Sequence, residues 1–353
     1  MFETLIEMLG DDGTLGAAGL AVGLIFGIMA QRSRFCLRAA TVEVAEGQLG
    51  PRLAVWLIAF SAALVSVQGA VALGYLDLGA ARVLSATGSV SGAVIGGLMF
   101  GVGMVLARGC ASRLLVLASS GNLRALISGL VVTLVAQAAY RGALSPWREG
   151  IAGLWTVPGG EGRDLGAMLG LSPMGVAVLG LAALAGAFVF SRSRAVPWTQ
   201  ALTAAGVGLA IMLGWLATYL ISQASFEVVP LSSITFTGPA TDTLMALVDE
   251  PSLPLSFGIG LVPGVALGAG LSAALAGEWK LERFGADTPM ERYLVGAVLM
   301  GFGAMLAGGC AVGAGLSGGS ALSVTAWLAA FCMWLGAMAT QRMMMRRGRL
   351  QAA

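Results

Sequence analysis

Nine apolar segments, each long enough to cross a bilayer, divide this chain and constrain most of what it can fold into. They lie near residues 14–31, 53–76, 92–107, 124–140, 174–190, 200–222, 255–276, 291–307 and 321–341. A span needs about 20 apolar residues, or somewhat fewer at a short one. Composition agrees, since only 11% of the residues are charged and 57% are hydrophobic. A soluble domain carries about 25% charged residues, so lipid is the expected solvent. Helices satisfy their own backbone in lipid, and the expected fold is an all-α polytopic membrane protein.

Four shorter apolar stretches, 36–46, 111–119, 241–249 and 311–318, follow spans without a long polar loop. They are too short to cross and are expected to be re-entrant half-helices. Such backbone is tolerated at membrane depth only where protein buries it or water lines it.

Charge then sets direction. If the N-terminus is outside, only Arg82, Arg141, Arg148 and Arg163 of the 20 basic residues fall on the outer side. The remainder cluster in the inner segments, as the positive-inside rule requires. The N-terminus is therefore expected to be periplasmic and the C-terminus cytoplasmic. The opening MFETLIEMLGDDG lacks a basic n-region, so no cleavable signal is expected.

The chain repeats itself at a shift of 200. GVGMVLARGCA (101–111) matches GFGAMLAGGCA (301–311) at seven of eleven positions, the paired Cys110 and Cys310 among them. These copies end the third and eighth spans, which cross in opposite directions. An inverted repeat is expected, with one half near 14–140, a connector span at 174–190 and a second half near 200–341, all within a single transmembrane domain 1–353. Inverted repeats with broken helices are transporter architecture, with a site near the midplane.

Chemistry narrows the function. Histidine is absent, removing the commonest metal ligand and general base. No CxxC and no closely spaced cysteine pair occurs, so no metal site and no cofactor are expected. A net charge of +2 does not suggest nucleic acid. The spans carry almost no acid, which makes cation coordination or a proton relay hard to build. Backbone dipoles, thiols and basic residues remain, and these favour an anion. At Cys110 and Cys310, flanked by Gly109 and Gly309, a half-helix N-terminus offers free N–H groups and a positive dipole end. Gly there allows close backbone approach. Cys36 opens the half-helix 36–46 with Arg32, Arg34 and Arg38 around it. Those arginines, with Arg108 and Arg113, are either topology anchors or part of the anion path. Cys332, in AAFCMWLG, reads as a small buried hydrophobe. Thiols are weak donors, and a line of them suits loose passage of a soft, sulfur-bearing anion. A membrane thiol enzyme, either a disulfide oxidoreductase or a sulfurtransferase, is the competing reading, because a helix N-terminus and Arg108 can activate Cys110. No GxxxxGK[ST] motif is present for ATP hydrolysis.

QRSRFCLRAA (31–40), LARGCASRLL (106–115) and LAGGCAVGAG (306–315) resemble the three cysteine motifs of the YeeE/YedE family of bacterial sulfur-transport membrane proteins, along nearly the whole chain. The resemblance implies thiosulfate uptake across the bacterial inner membrane and an hourglass fold of nine spans with four short helices. It implies that Cys36, Cys110 and Cys310 pass substrate along by S–H···S hydrogen bonds. It also suggests a cytoplasmic TusA-type sulfur-carrier protein as partner. Other members are linked to selenium metabolism, so a selenium compound is an alternative cargo.

Overall fold

The computed structural model describes residues 2–249, 255–283 and 290–352. Helices dominate it: α1 (Phe2–Ser33), α2 (Leu37–Ala45), α3 (Pro51–Ala72), α4 (Arg82–Ser85), α5 (Val90–Leu106), α6 (Ala111–Ser119), α7 (Leu123–Tyr140), α8 (Ser145–Ala152), α9 (Leu165–Met168), α10 (Pro173–Ser193), α11 (Trp198–Ala224), α12 (Thr237–Asp249), α13 (Phe257–Leu275), α14 (Met290–Ala307) and α15 (Val324–Ala352). A π-helical turn, Gly313–Gly318, stands between the last two. Among the described residues, nine helical segments are long and apolar enough to cross a membrane, and they coincide with the nine expected spans. The chain is a multi-pass membrane protein.

Glycine sets how these helices pack. Gly19, Gly23 and Gly27 of α1 face the backbone of Phe257, Leu261 and Val265 in turn, so α1 and α13 run parallel. Gly92, Gly96 and Gly103 of α5 face Leu306, Gly303 and Gly296, so α5 and α14 run antiparallel. A Cβ at any of these six positions would strike main chain of the facing helix. Close approach of this kind is how helices associate in lipid, where apolar surface alone gives little drive. The remaining large contacts join α5 to α15, α3 to α10, α1 to α11, α3 to α11 and α7 to α14.

The four short elements form where expected, at α2, α6, α12 and residues 311–320. One begins earlier than the apolar pattern suggests. α12 starts at Thr237, not 241, because Pro239 falls in its first turn, where the missing N–H leaves no bond unmade. The segments between spans also hold more structure than their polarity foretells. Gly88–Ser89 pairs antiparallel with Thr156–Val157 as β1 and β2. With α4, α8 and α9 this small sheet builds a folded cap on one face.

Candidate functional site

Each of the three motif cysteines sits at the start of a short helix, and the backbone leading into it follows one plan. Cys36 and Cys110 are the N-cap residues of α2 and α6. Their carbonyls accept from Ala40 and Leu114, and the Cys310 carbonyl accepts from Ala314 in the same way. Two residues before each cysteine the chain turns left-handed, at Arg34 (φ 53°), Arg108 (φ 58°) and Gly308 (φ 77°). After α5 the turn is a Schellman closure, with Arg108 N–H donating to Val105 and Gly109 N–H to Met104. Gly309 N–H donates to Ala304 in the matching place. Such closures satisfy helix-end carbonyls and redirect the chain sharply. A non-glycine residue in this conformation costs roughly 1–3 kcal/mol and persists only when its surroundings enforce it.

The thiols have distinct neighbours. Cys36 and Cys110 are close neighbours. Cys110 also meets the Ser112 hydroxyl at 3.3 Å. Cys310 meets the Thr235 hydroxyl at 3.8 Å. All four cysteines are free thiols. Cys332 lies on α15 against Gly97 of α5, a packing position.

Arginines crowd the Cys36–Cys110 pair. Arg38 and Arg113 are its charged neighbours, with Arg108 and Arg292 close to Arg38. The Arg108 and Arg124 guanidiniums sit over the Tyr293 ring at 5.9 and 4.8 Å from its centroid. Among the described residues none of these five makes an ion pair with a carboxylate. Arg38 Nε, Arg113 Nη1, Arg124 Nε and Arg292 Nε are buried without hydrogen-bond partners among the described residues. Arg34 differs, being engaged by Glu278 at 3.1 Å, and Arg32 donates to Ser272.

On the face where Gly308 and Gly309 lie, a cavity of about 530 Å³ opens. Thr235, Thr237, Gly313, Ser317 and Trp215 line it, with Arg82, Arg148 and Arg163. These three are among the four arginines that the charge pattern assigns outside. Sequence reasoning used them only to count charge, and their convergence on a cavity had no signal in spacing. Arg163 donates to the Ala86 carbonyl and to Thr325, and burial alone pulls its pKa down. A smaller, apolar cavity of about 200 Å³ lies between α6, α7, α12 and α13, with Thr237 on its border. Among the described residues no cluster of His, Cys, Asp and Glu could hold a metal ion.

A family model described as Sulphur transport matches residues 32–339. The thiosulfate transporter TsuA of Spirochaeta thermophila is 30% identical over 90% of this chain and 96% of its own length. The thiosulfate transporter TsuA of Escherichia coli is 28% identical, covering 90% of this chain and 92% of its own.

Proposed function

Because this chain belongs to the Sulphur transport family, we propose that it takes up thiosulfate across a bacterial inner membrane through a pathway lined by Cys310, Cys110 and Cys36. The observation that carries this reading is the shared placement of the three thiols, each at a short-helix N-terminus just past a left-handed turn. Its two full-length relatives, both thiosulfate transporters, support the choice of substrate.

In this reading the four short helices are re-entrant and the halves form an inverted repeat. The packing supports it: exchanging α1 with α11, α3 with α13, α5 with α14 and α7 with α15 turns each large contact among these eight helices into one that exists, while the connector α10 packs on α3 alone of the pair α3 and α13. Thus α1–α13 maps onto α11–α3, and α5–α15 onto α14–α7. The antiparallel course of α5 and α14, which carry the repeated phrase, is what inversion requires. With the N-terminus periplasmic, the 530 Å³ cavity faces outward and the arginine-rich Cys36 region faces the cytoplasm.

Passage then follows from weak contacts in series. A dianion enters the outer cavity, drawn by its arginines. Cys310 donates its S–H to the terminal sulfur, and Cys110 and then Cys36 do the same. Neutral thiols hold such an anion loosely, so it can leave as readily as it binds. Arg38 and Arg113 draw it inward, with the guanidiniums over Tyr293 at the inner mouth. A TusA-type carrier as cytoplasmic acceptor is proposed on the family resemblance.

Radiolabelled thiosulfate uptake into proteoliposomes tests the reading. Wild type should accumulate label, whereas Cys110→Ser should not, with no persulfide or mixed disulfide formed on any cysteine. Full uptake by Cys110→Ser would overturn the thiol pathway.

A further inference from the structure

Three polar side chains of the outer cavity are almost wholly buried yet keep an unpartnered polar atom. Arg163 is 6% exposed, Trp215 4% and Thr237 3%. Among the described residues Arg163 Nε, Trp215 Nε1 and Thr237 Oγ1 have no hydrogen-bond partner. They come from three separate places: a 3-10 turn, the middle of α11 and the start of α12. All three line the same cavity. Buried polar groups are almost always paired, and each exception calls for an explanation.

The chemistry of the three atoms restricts that explanation. Arginine and indole N–H groups only donate, so the missing partner is an acceptor. The Arg163 charge is not neutralised by an ion pair among the described residues. Arg148 is paired with Glu149 at 2.9 Å, and Asp242, the acid lining the cavity, has Arg141 as its charged neighbour. A buried, uncompensated cation costs too much to be retained without a counter-charge. An anion is the acceptor that would also supply this counter-charge. Gly88 packs against the guanidinium so closely that a Cβ there would strike Arg163 Nε and Cζ. From the same cavity Thr235 reaches the Cys310 thiol.

We propose that Arg163, Trp215 and Thr237 form a recognition site for the oxygen-bearing end of a tetrahedral sulfur oxyanion. Three donors meet three oxygens, leaving the fourth substituent free. If that substituent is a terminal sulfur, Cys310 receives it. This deepens the uptake reading and rests on it for the hand-over to Cys310, but not for binding itself.

Titration calorimetry on the purified full chain tests the site, with thiosulfate and sulfate as separate probes. Trp215→Phe removes only an N–H, and Thr237→Val only a hydroxyl. Arg163→Gln removes the charge, and a melting curve for it separates lost binding from lost folding. Both anions should bind wild type, and Trp215→Phe and Thr237→Val should each weaken both by about tenfold. Unchanged affinity in these two variants, or no binding of either anion to wild type, overturns the site. Where the pattern holds but proteoliposomes accumulate no thiosulfate, the uptake reading fails and the anion site stands.

Discussion

At the scale of single residues, each motif cysteine follows a left-handed turn two residues before it. Cys110→Ala and Cys310→Ala should each nearly abolish uptake, at unchanged membrane expression and melting temperature. Cys332→Ala should leave uptake intact, because this thiol packs on Gly97; a strong loss in a transport assay would contradict that. The turns themselves are separable from the thiols. Gly308 has φ 77° and open space around its Cα, so Gly308→Ala adds backbone strain alone and should cost about 1 kcal/mol in thermal unfolding. Arg108→Gly relieves that strain but loses the contact with Tyr293, so stability should hold within about 1 kcal/mol. A fall in its uptake then reads the guanidinium. The three cysteines and the arginines beside them are visible in the chain as written. The meeting of Cys36 with Cys110 is not, because it depends on how the fold brings the starts of α2 and α6 together. Nor are Arg163, Trp215 and Thr237, which share no motif.

At the scale of elements, hydropathy locates spans well because lipid demands long apolar helices. It locates short helices less well, since a proline that ends a helix in one place begins one in another. Pro239 in α12 is such a case. The small sheet of β1 and β2 has two residues per strand, too few for any alternation to register. Helix contacts are legible in part: the glycine spacing in α1 and α13 is a packing pattern, while the choice of partner belongs to the fold. At the α5–α14 contact a side chain on Gly103 would meet the backbone of Gly296. Gly103→Leu should therefore separate these helices and abolish stable membrane expression, seen as loss of a monodisperse peak after detergent extraction; Gly69→Leu, with open space around it, is the control that should keep that peak.

For the whole molecule, the two regions flanking the motif cysteines differ. One is a wide cavity with buried donors that lack partners among the described residues, and the other gathers Arg38, Arg108, Arg113, Arg124 and Arg292, none of them ion-paired among the described residues. Both arrangements suit an anion and neither suits a cation. The same charge distribution predicts that a cysteine placed at exposed Leu154, beside β2, reacts with an impermeant maleimide from outside the cell; reaction only after lysis would reverse the orientation. The most direct measurement of the central claim is growth on thiosulfate as sole sulfur source, in a host lacking its own sulfate and thiosulfate importer. Cells carrying wild type should grow and cells carrying Cys110→Ala at equal membrane levels should not. Failure of well-expressed wild type to support growth, or equal growth by the variant, would contradict uptake of thiosulfate past the repeated cysteine.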